Sequence, residues 1–425
     1  MANSKTGMLT VLKNRDFLAL WLSQLVSKIG DNFAVIAALT LINEVAQASG
    51  IAVVVIGVAV TIPQLFALAS GVFLDRFSRK AVMIASDVLR AAVILLALVV
   101  ETAGQLYILY LVAFVVMGLG AVYIPARNAS IPNMVPEEHL LTANALIQAT
   151  ELVSLIVGAS LAAVVIGLTS IQTAFIIDSI TFGLSGLFLV AARIPQGQPA
   201  SAATQPGSEF RKFWAGFSEG VRYIGSNKSL LQLMAITTMA TLGLSATTLL
   251  AGAYFEELLD ISAEYMGFLL AAEGVGMAVG ALLISSYATW ARSRQTVSVT
   301  MIILGAGILV FALVKVYWLV LVGALVVGLC IVSARTTLAA MTQALVPDSQ
   351  RGRVESAMVT VIGIGTMGAL IMAGVLGDVV GPTSIFALTG IVVLVAGIAS
   401  IFTLRGAEEE LMNGNGSQLF SPPLE

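Results

Sequence analysis

The chain has 425 residues, 58% of them hydrophobic and 11% charged, with a net charge of -3 and a mean hydropathy of +0.98. Soluble domains carry about 25% charged residues, so these proportions exclude that class, and a near-neutral balance gives no basis for nucleic-acid binding. The lone histidine, His139, and lone cysteine, Cys330, leave no material for an internal disulfide or a histidine-based metal site.

The chain opens on a polar stretch, Met1–Asp16, without the apolar core and small-residue cleavage site of a secretory signal. A short cytosolic lead-in is expected. Twelve apolar segments follow, each long enough to cross about 30 Å of hydrocarbon as a helix. They cover 17–43, 51–74, 81–101, 105–131, 144–168, 171–192, 229–255, 264–290, 296–314, 317–343, 354–377 and 382–404. These runs are continuous, which excludes a β-barrel, whose strands alternate over about 10 residues.

Loop charges orient the segments. With the N-terminus inside, the inner connections hold Lys5, Lys13 and Arg15; Arg76, Arg79 and Lys80; Arg193, Arg211, Lys212, Arg222 and Lys228; Arg292 and Arg294; Arg351 and Arg353; and Arg405. Among the loop cations only Lys315 falls outside, where Glu44, Glu101, Glu256, Glu257, Asp260, Glu264 and Asp378 collect. This positive-inside pattern also checks the helix count, because one missed helix would invert every later loop.

Residues 193–209 are rich in Pro, Gly, Ser, Ala and Gln, a linker composition. Phe210, Phe213, Trp214, Phe217, Val221 and Ile224 then recur at helical spacing, with Arg211, Lys212, Glu219 and Arg222 off the stripe. Such an amphipathic helix lies on the inner leaflet or packs against a span. The expected organisation is a six-helix bundle over 1–192, a cytoplasmic linker with an amphipathic helix over 193–228, a second six-helix bundle over 229–405, and a cytoplasmic tail over 406–425.

The two halves echo each other. Gly118-Leu119, Val135-Pro136-Glu137 and Asn144-Ala145-Leu146 in the first match Gly328-Leu329, Val346-Pro347-Asp348 and Glu355-Ser356-Ala357 in the second. One charged decamer interrupts the early apolar runs, Gly71-Val-Phe-Leu-Asp75-Arg76-Phe-Ser-Arg79-Lys80. Topology alone requires its cations but not its glycine or its acid.

The pattern Gly71-x-x-x-Asp75-Arg76-x-x-Arg79-Lys80, placed between the second and third segments, resembles the signature loop of the major facilitator superfamily. With the six-plus-six repeat, the resemblance covers essentially the whole chain. It implies an all-α membrane protein of twelve transmembrane helices in two pseudo-symmetric bundles, with substrate handled near the midplane. Ser27-Lys28-Ile29-Gly30-Asp31, Pro125-Ala126-Arg127-Asn128-Ala129, Ala143-Asn144-Ala145-Leu146 and Ile177-Asp178-Ser179-Ile180-Thr181-Phe182 resemble the drug–proton antiporter branch that holds macrolide and enterobactin exporters. Gly30-Asp31-Asn32 and Arg127 are also similar to bacterial lysophospholipid transporters. Two departures stand out. The fifth segment lacks the Gly-Pro pair of many antiporters, reading Ile156 to Ala163 without proline, and Trp290 stands where the second copy of the signature loop would place its acid, although Arg294 matches Arg79.

From the resemblance, Gly71, Asp75, Arg76, Arg79 and Lys80 are expected to form a one-sided inner latch, with Arg79 and Lys80 clasping acids or lipid phosphates. Their alternative role is to enforce topology. The other candidates lie inside spans. Gln24, Ser27, Lys28, Asp31 and Asn32 share one face of the first helix. Asp31 is 14 residues past Phe17, about 21 Å along the helix, and a charge at mid-membrane costs roughly 2.5–3.5 kcal/mol. Lys28 and Asp31 either pair with each other, or Asp31 exchanges a proton with Lys28 or Arg127 as its alternating partner. Arg127 reaches the same stripe or snorkels to the inner surface. Glu151 is a candidate gate partner for an inner arginine, Glu273 a candidate for proton or cationic-substrate binding, and Asp178 a site residue or a structural one. Asp87 and Arg90, one turn apart, are expected to pair locally.

The expected function is export of an amphiphilic or lipophilic small molecule, drug-like or siderophore-like, by alternating access with proton antiport. Expected partners are that substrate, protons and membrane lipids, with no nucleic acid; a monomer in the bacterial inner membrane with both termini cytoplasmic is expected. No catalytic constellation, metal site or cofactor is expected, and the absence of a phosphate-cradling Gly-Lys-Ser/Thr loop excludes ATP drive within the chain. The alternatives are a lysophospholipid flippase of the same fold and a non-transporting membrane sensor.

Overall fold

Asn14 starts the first helix. Its Oδ1 accepts hydrogen bonds from the backbone N–H groups of Asp16 (3.0 Å) and Phe17 (3.3 Å), which satisfies donors that a helix start otherwise leaves open. In this computed structural model, described for residues 10–46, 50–66, 77–195, 208–259, 265–286, 294–313, 315–347 and 350–413, no strand occurs among the described residues.

Six helices precede the linker: α1 (Arg15–Ala46), α2 (Gly50–Phe66), α3 (Arg79–Ile94), α4 (Leu106–Ser130), α5 (Leu140–Leu168) and α6 (Ile171–Ala191). The amphipathic helix is α7 (Ser208–Ser226). Then come α8 (Lys228–Leu259), α9 (Met266–Ser286), α10 (Arg294–Phe311), α11 (Tyr317–Leu345), α12 (Arg351–Val380), α13 (Pro382–Thr403) and the short α14 (Arg405–Asn413). Each of the twelve predicted apolar segments thus coincides with a helix where it is described. Ten helices among the described residues are long and apolar enough to cross a membrane; α2 is apolar but shorter, at 17 residues.

The chain forms two compact units, Met1–Phe210 with Ala251–Gly274, and Arg211–Leu250 with Val275–Glu425. In the first, α1 packs on α5 and α6, α3 on α4 and α6, and α2 on α4. Phe17, Leu20, Met83, Tyr123, Leu146 and Leu189 form the core at the end where α1 begins. Lipid tails are as apolar as these side chains, so close packing rather than transfer from water holds such helices together.

Helix ends meet cations. Arg79 donates to the Ala129 carbonyl near the end of α4 (2.6 Å), and Lys80 to the Val190 and Ala192 carbonyls at the end of α6 (2.7 Å each). Both side chains occupy the negative end of a helix dipole and satisfy carbonyls that the last turn leaves open.

The second unit repeats the plan: α10 packs on α11 and α13, as α3 does on α4 and α6. Arg294 donates to the Ile401 carbonyl near the end of α13 (2.7 Å) and pairs with Glu408 of α14 at 3.3 Å. The α7 helix leans on α12. Ile224 is buried, Glu219 pairs with Arg353, and Gly220 lies so close to the Arg353 carbonyl that a side chain would overlap it. Trp214 and Val221, on the same apolar stripe, stay exposed. The stripe is therefore divided between a protein-facing half and an open half, which spacing alone does not resolve.

Candidate functional site

The helical period of α5 builds the site. Thr150, Ser154 and Gly158 fall four apart and face α1. The Trp21 indole N–H donates to Thr150 Oγ1 (2.8 Å), the Asn32 amide donates to the Ser154 carbonyl (3.1 Å), and Gly158 lets the Ile29 carbonyl approach. This zip brings Glu151 alongside Lys28. Lys28 Nζ lies 3.1 Å from Asp31 Oδ2 and 3.9 Å from Glu151 Oε2, one cation between two acids from two helices. Their side chains keep 28, 22 and 46% exposure respectively, so the cluster is open on one side. Glu151 thus meets a lysine on α1 rather than an inner arginine.

Asp178 stands behind the same stretch of α1 and is fully buried. Thr181 Oγ1 donates to the Asp178 carbonyl (2.7 Å) and approaches its Oδ1 (3.4 Å), while Oδ2 has no hydrogen-bond partner. Gly30 provides the space: a Cβ there would sit 2.5 Å from Asp178 Oδ1 and 2.9 Å from Thr181 Cβ.

Arg127 is buried and reaches the polar stripe of α1. Its Nη1 donates to Gln24 Oε1, and its Nε and Nη2 donate to Asn128 Oδ1 at 3.0 and 2.9 Å. The Gln24 amide in turn donates to the Tyr123 hydroxyl (2.7 Å). Among the described residues no carboxylate pairs with Arg127. Gln24 lies one turn before Lys28, so the two groups of polar side chains share a face of α1. Beyond Tyr123 come Asp87 and Arg90 of α3, 3.8 Å apart, with Ser185 of α6 donating to Asp87 Oδ2 (2.6 Å).

The remaining candidates are separate. Among the described residues Glu273 of α9 has neither a hydrogen bond nor an ion pair. Arg79 and Lys80 bond to backbone carbonyls rather than to acids. Gly71, Asp75 and Arg76, and Trp290 in the second half, lie outside the described residues. No group of three or more His, Cys, Asp or Glu side chains that could hold a metal occurs among the described residues. Sequence reading passed over Tyr123, a phenol in an apolar run. Its signal was the four-residue spacing to Arg127, which places both on one face of α4.

A family model described as transmembrane secretion effector matches residues 6–424. Macrolide efflux protein A of Streptococcus pyogenes is 23% identical, over 77% of this chain and 81% of that protein. The multidrug efflux pump Tap of Mycobacterium tuberculosis is 28% identical, over 86% of this chain and 87% of its own length. Among solved structures, the nucleoside transporter NupG superposes with a TM-score of 0.70 at 13% identity, covering 92% of this chain and 99% of that one. A bacterial homologue of the iron transporter ferroportin in its inward-facing state gives 0.69 at 16% identity, over 93% of this chain and 98% of its own.

Proposed function

The chain belongs to the transmembrane secretion effectors of the major facilitator superfamily, and on that premise we propose that it exports an amphiphilic or lipophilic small molecule in exchange for protons, by alternating access. The fold is that of multi-pass membrane transporters. The carrying observation is Lys28 held between Asp31 and Glu151. Charges inside a span are costly unless they pair or face a polar cavity, and this cluster is both paired and half-open. In the proposed cycle one acid takes a proton while the other keeps the lysine, and the exchange is tied to which side of the membrane the cavity faces. Glu273 is proposed as a second proton or cationic-substrate group. The drug-efflux names of the two relatives support an exported lipophile as substrate.

The Gly71–Lys80 loop is proposed as a latch on the inner side. The bonds of Arg79 and Lys80 to the ends of α4 and α6 give it a rigid base, and Asp75 supplies the releasable contact. The same proposal places it in a bacterial inner membrane as a monomer, and the loop charges support cytoplasmic termini.

The test is substrate-driven pH change in proteoliposomes, with a macrolide and ethidium as probes. Wild type is expected to move protons against either probe, and Asp31→Asn and Glu273→Gln to lose that coupling. Normal proton movement in both variants defeats the coupling scheme. Transport that persists after the proton gradient is collapsed would favour the flippase alternative.

A further inference from the structure

A connected row of side chains in the first unit is used neither by the Lys28 cluster nor by the latch. It begins at Arg90, which is buried. The Arg90 guanidinium carbon lies 5.1 Å from the Tyr123 ring centroid and 5.4 Å from that of Phe182, within cation–π range of both. Gly120, one turn before Tyr123 on α4, leaves room for the guanidinium: a Cβ there would meet Nη2 at 3.1 Å. Asp87 holds the other side at 3.8 Å and is itself held by Ser185. The Tyr123 ring is thus fixed, and with it the position of its hydroxyl.

That hydroxyl tethers the Gln24 side chain. A carboxamide has one end that accepts and one that donates. The Gln24 amide nitrogen donates to Tyr123, and its oxygen accepts from Arg127. The opposite orientation would set an N–H against the guanidinium, which cannot accept a hydrogen bond. Arg127 thus sets which end of the amide faces it, and Tyr123, which it does not touch, holds that amide in place.

We propose that Tyr123 is a positioning residue for Arg127, acting by tethering the Gln24 side chain, with Arg90 and Phe182 anchoring the tyrosine ring. Arg127 then keeps two N–H groups for a ligand, since Asn128 and Gln24 take the other three. The relevance to transport rests on the reading that this face of α1 lines the export cavity. The positioning itself does not.

The experiment separates the two. Purified full-length protein is treated with phenylglyoxal, an arginine-specific reagent, and modification of Arg127 is followed by mass spectrometry. Tyr123→Phe keeps the ring and removes the hydroxyl. Arg127 is then expected to react about tenfold faster, the factor for loss of one net hydrogen bond to a charged group. Gln24→Glu in the Tyr123→Phe background is expected to restore slow modification, because a carboxylate holds the guanidinium by charge as well as by hydrogen bonding and needs no tether. A tyrosine that only fills space would not be rescued this way. An unchanged rate in Tyr123→Phe overturns the proposal, as does failure of Gln24→Glu to restore it. Ethidium efflux is measured in parallel. Variants that release Arg127 yet pump at the wild-type rate remove Arg127 from the transport site and leave its positioning intact.

Discussion

Replacing Gly30 with alanine tests the contact on which the centre of the first unit depends. The added Cβ would overlap Thr181 Oγ1 outright and would stand 2.5 Å from Asp178 Oδ1 and 2.9 Å from Thr181 Cβ, whereas an ordinary carbon–oxygen approach is about 3.3 Å or more. Neither neighbour yields easily. Thr181 is bonded to the Asp178 carbonyl at 2.7 Å, and Asp178 is fully buried. Either α1 and α6 separate by roughly 1–1.5 Å or Thr181 rotates and loses its bond. Overpacking costs about 1–3 kcal/mol and the lost bond about 1 kcal/mol, so a total of about 2–4 kcal/mol is expected. At about 2–4 °C per kcal/mol, the melting temperature of the detergent-purified protein should fall by roughly 5–15 °C in scanning fluorimetry. Thr181→Ala, which removes the hydroxyl on the contact, should recover part of the loss in the double variant. A Gly30→Ala protein that melts within about 1 °C of wild type would show that α1 and α6 do not meet at this point.

Three further outcomes follow from the same geometry. Lys80→Met leaves the Val190 and Ala192 carbonyls without their donor and should destabilise the protein by about 1–2 kcal/mol, read as a lower melting temperature. Glu219→Arg should loosen α7 from α12 and speed tryptic cleavage at Arg222, and Arg353→Glu in the same chain should reverse it. Because that pair is 46 and 49% exposed, its effect on melting should stay below about 1 kcal/mol. Lys28→Met leaves Asp31 and Glu151 without their cation and should lower stability by about 1–3 kcal/mol, read as a lower melting temperature, while adding Asp31→Asn should return much of it; a double variant no better than the single would mean the pair is not formed.

The helices were legible because the bilayer imposes their length and hydropathy, so twelve apolar runs become twelve helices wherever they are described. The Lys28–Asp31 pair was legible for the same local reason: three residues on a helix is one turn, and the two side chains meet whatever surrounds them. The Asp87–Arg90 pair follows the same spacing. Glu151 was recognised as an acid inside a span but assigned an arginine, because nothing in its own segment says which helix it faces. That choice depends on Thr150, Ser154 and Gly158 docking on Trp21, Asn32 and Ile29, a contact between segments more than a hundred residues apart.

Composition, run length and loop charge thus determined class, helix positions and the repeat, since each is set by a residue's own solvent or its neighbours within a turn. Tertiary structure decided the partners. Arg79 and Lys80 carry charges that would suit an acid or a phosphate, and they close helix ends instead, because the last turns of α4 and α6 arrive beside them with unsatisfied carbonyls. Arg127 could have reached water, and it turns inward, because Gln24 presents it with an oxygen that Tyr123 holds in place. Such choices depend on which helix ends and faces are brought within hydrogen-bonding reach, about 3 Å, and no pattern along a single helix carries that information.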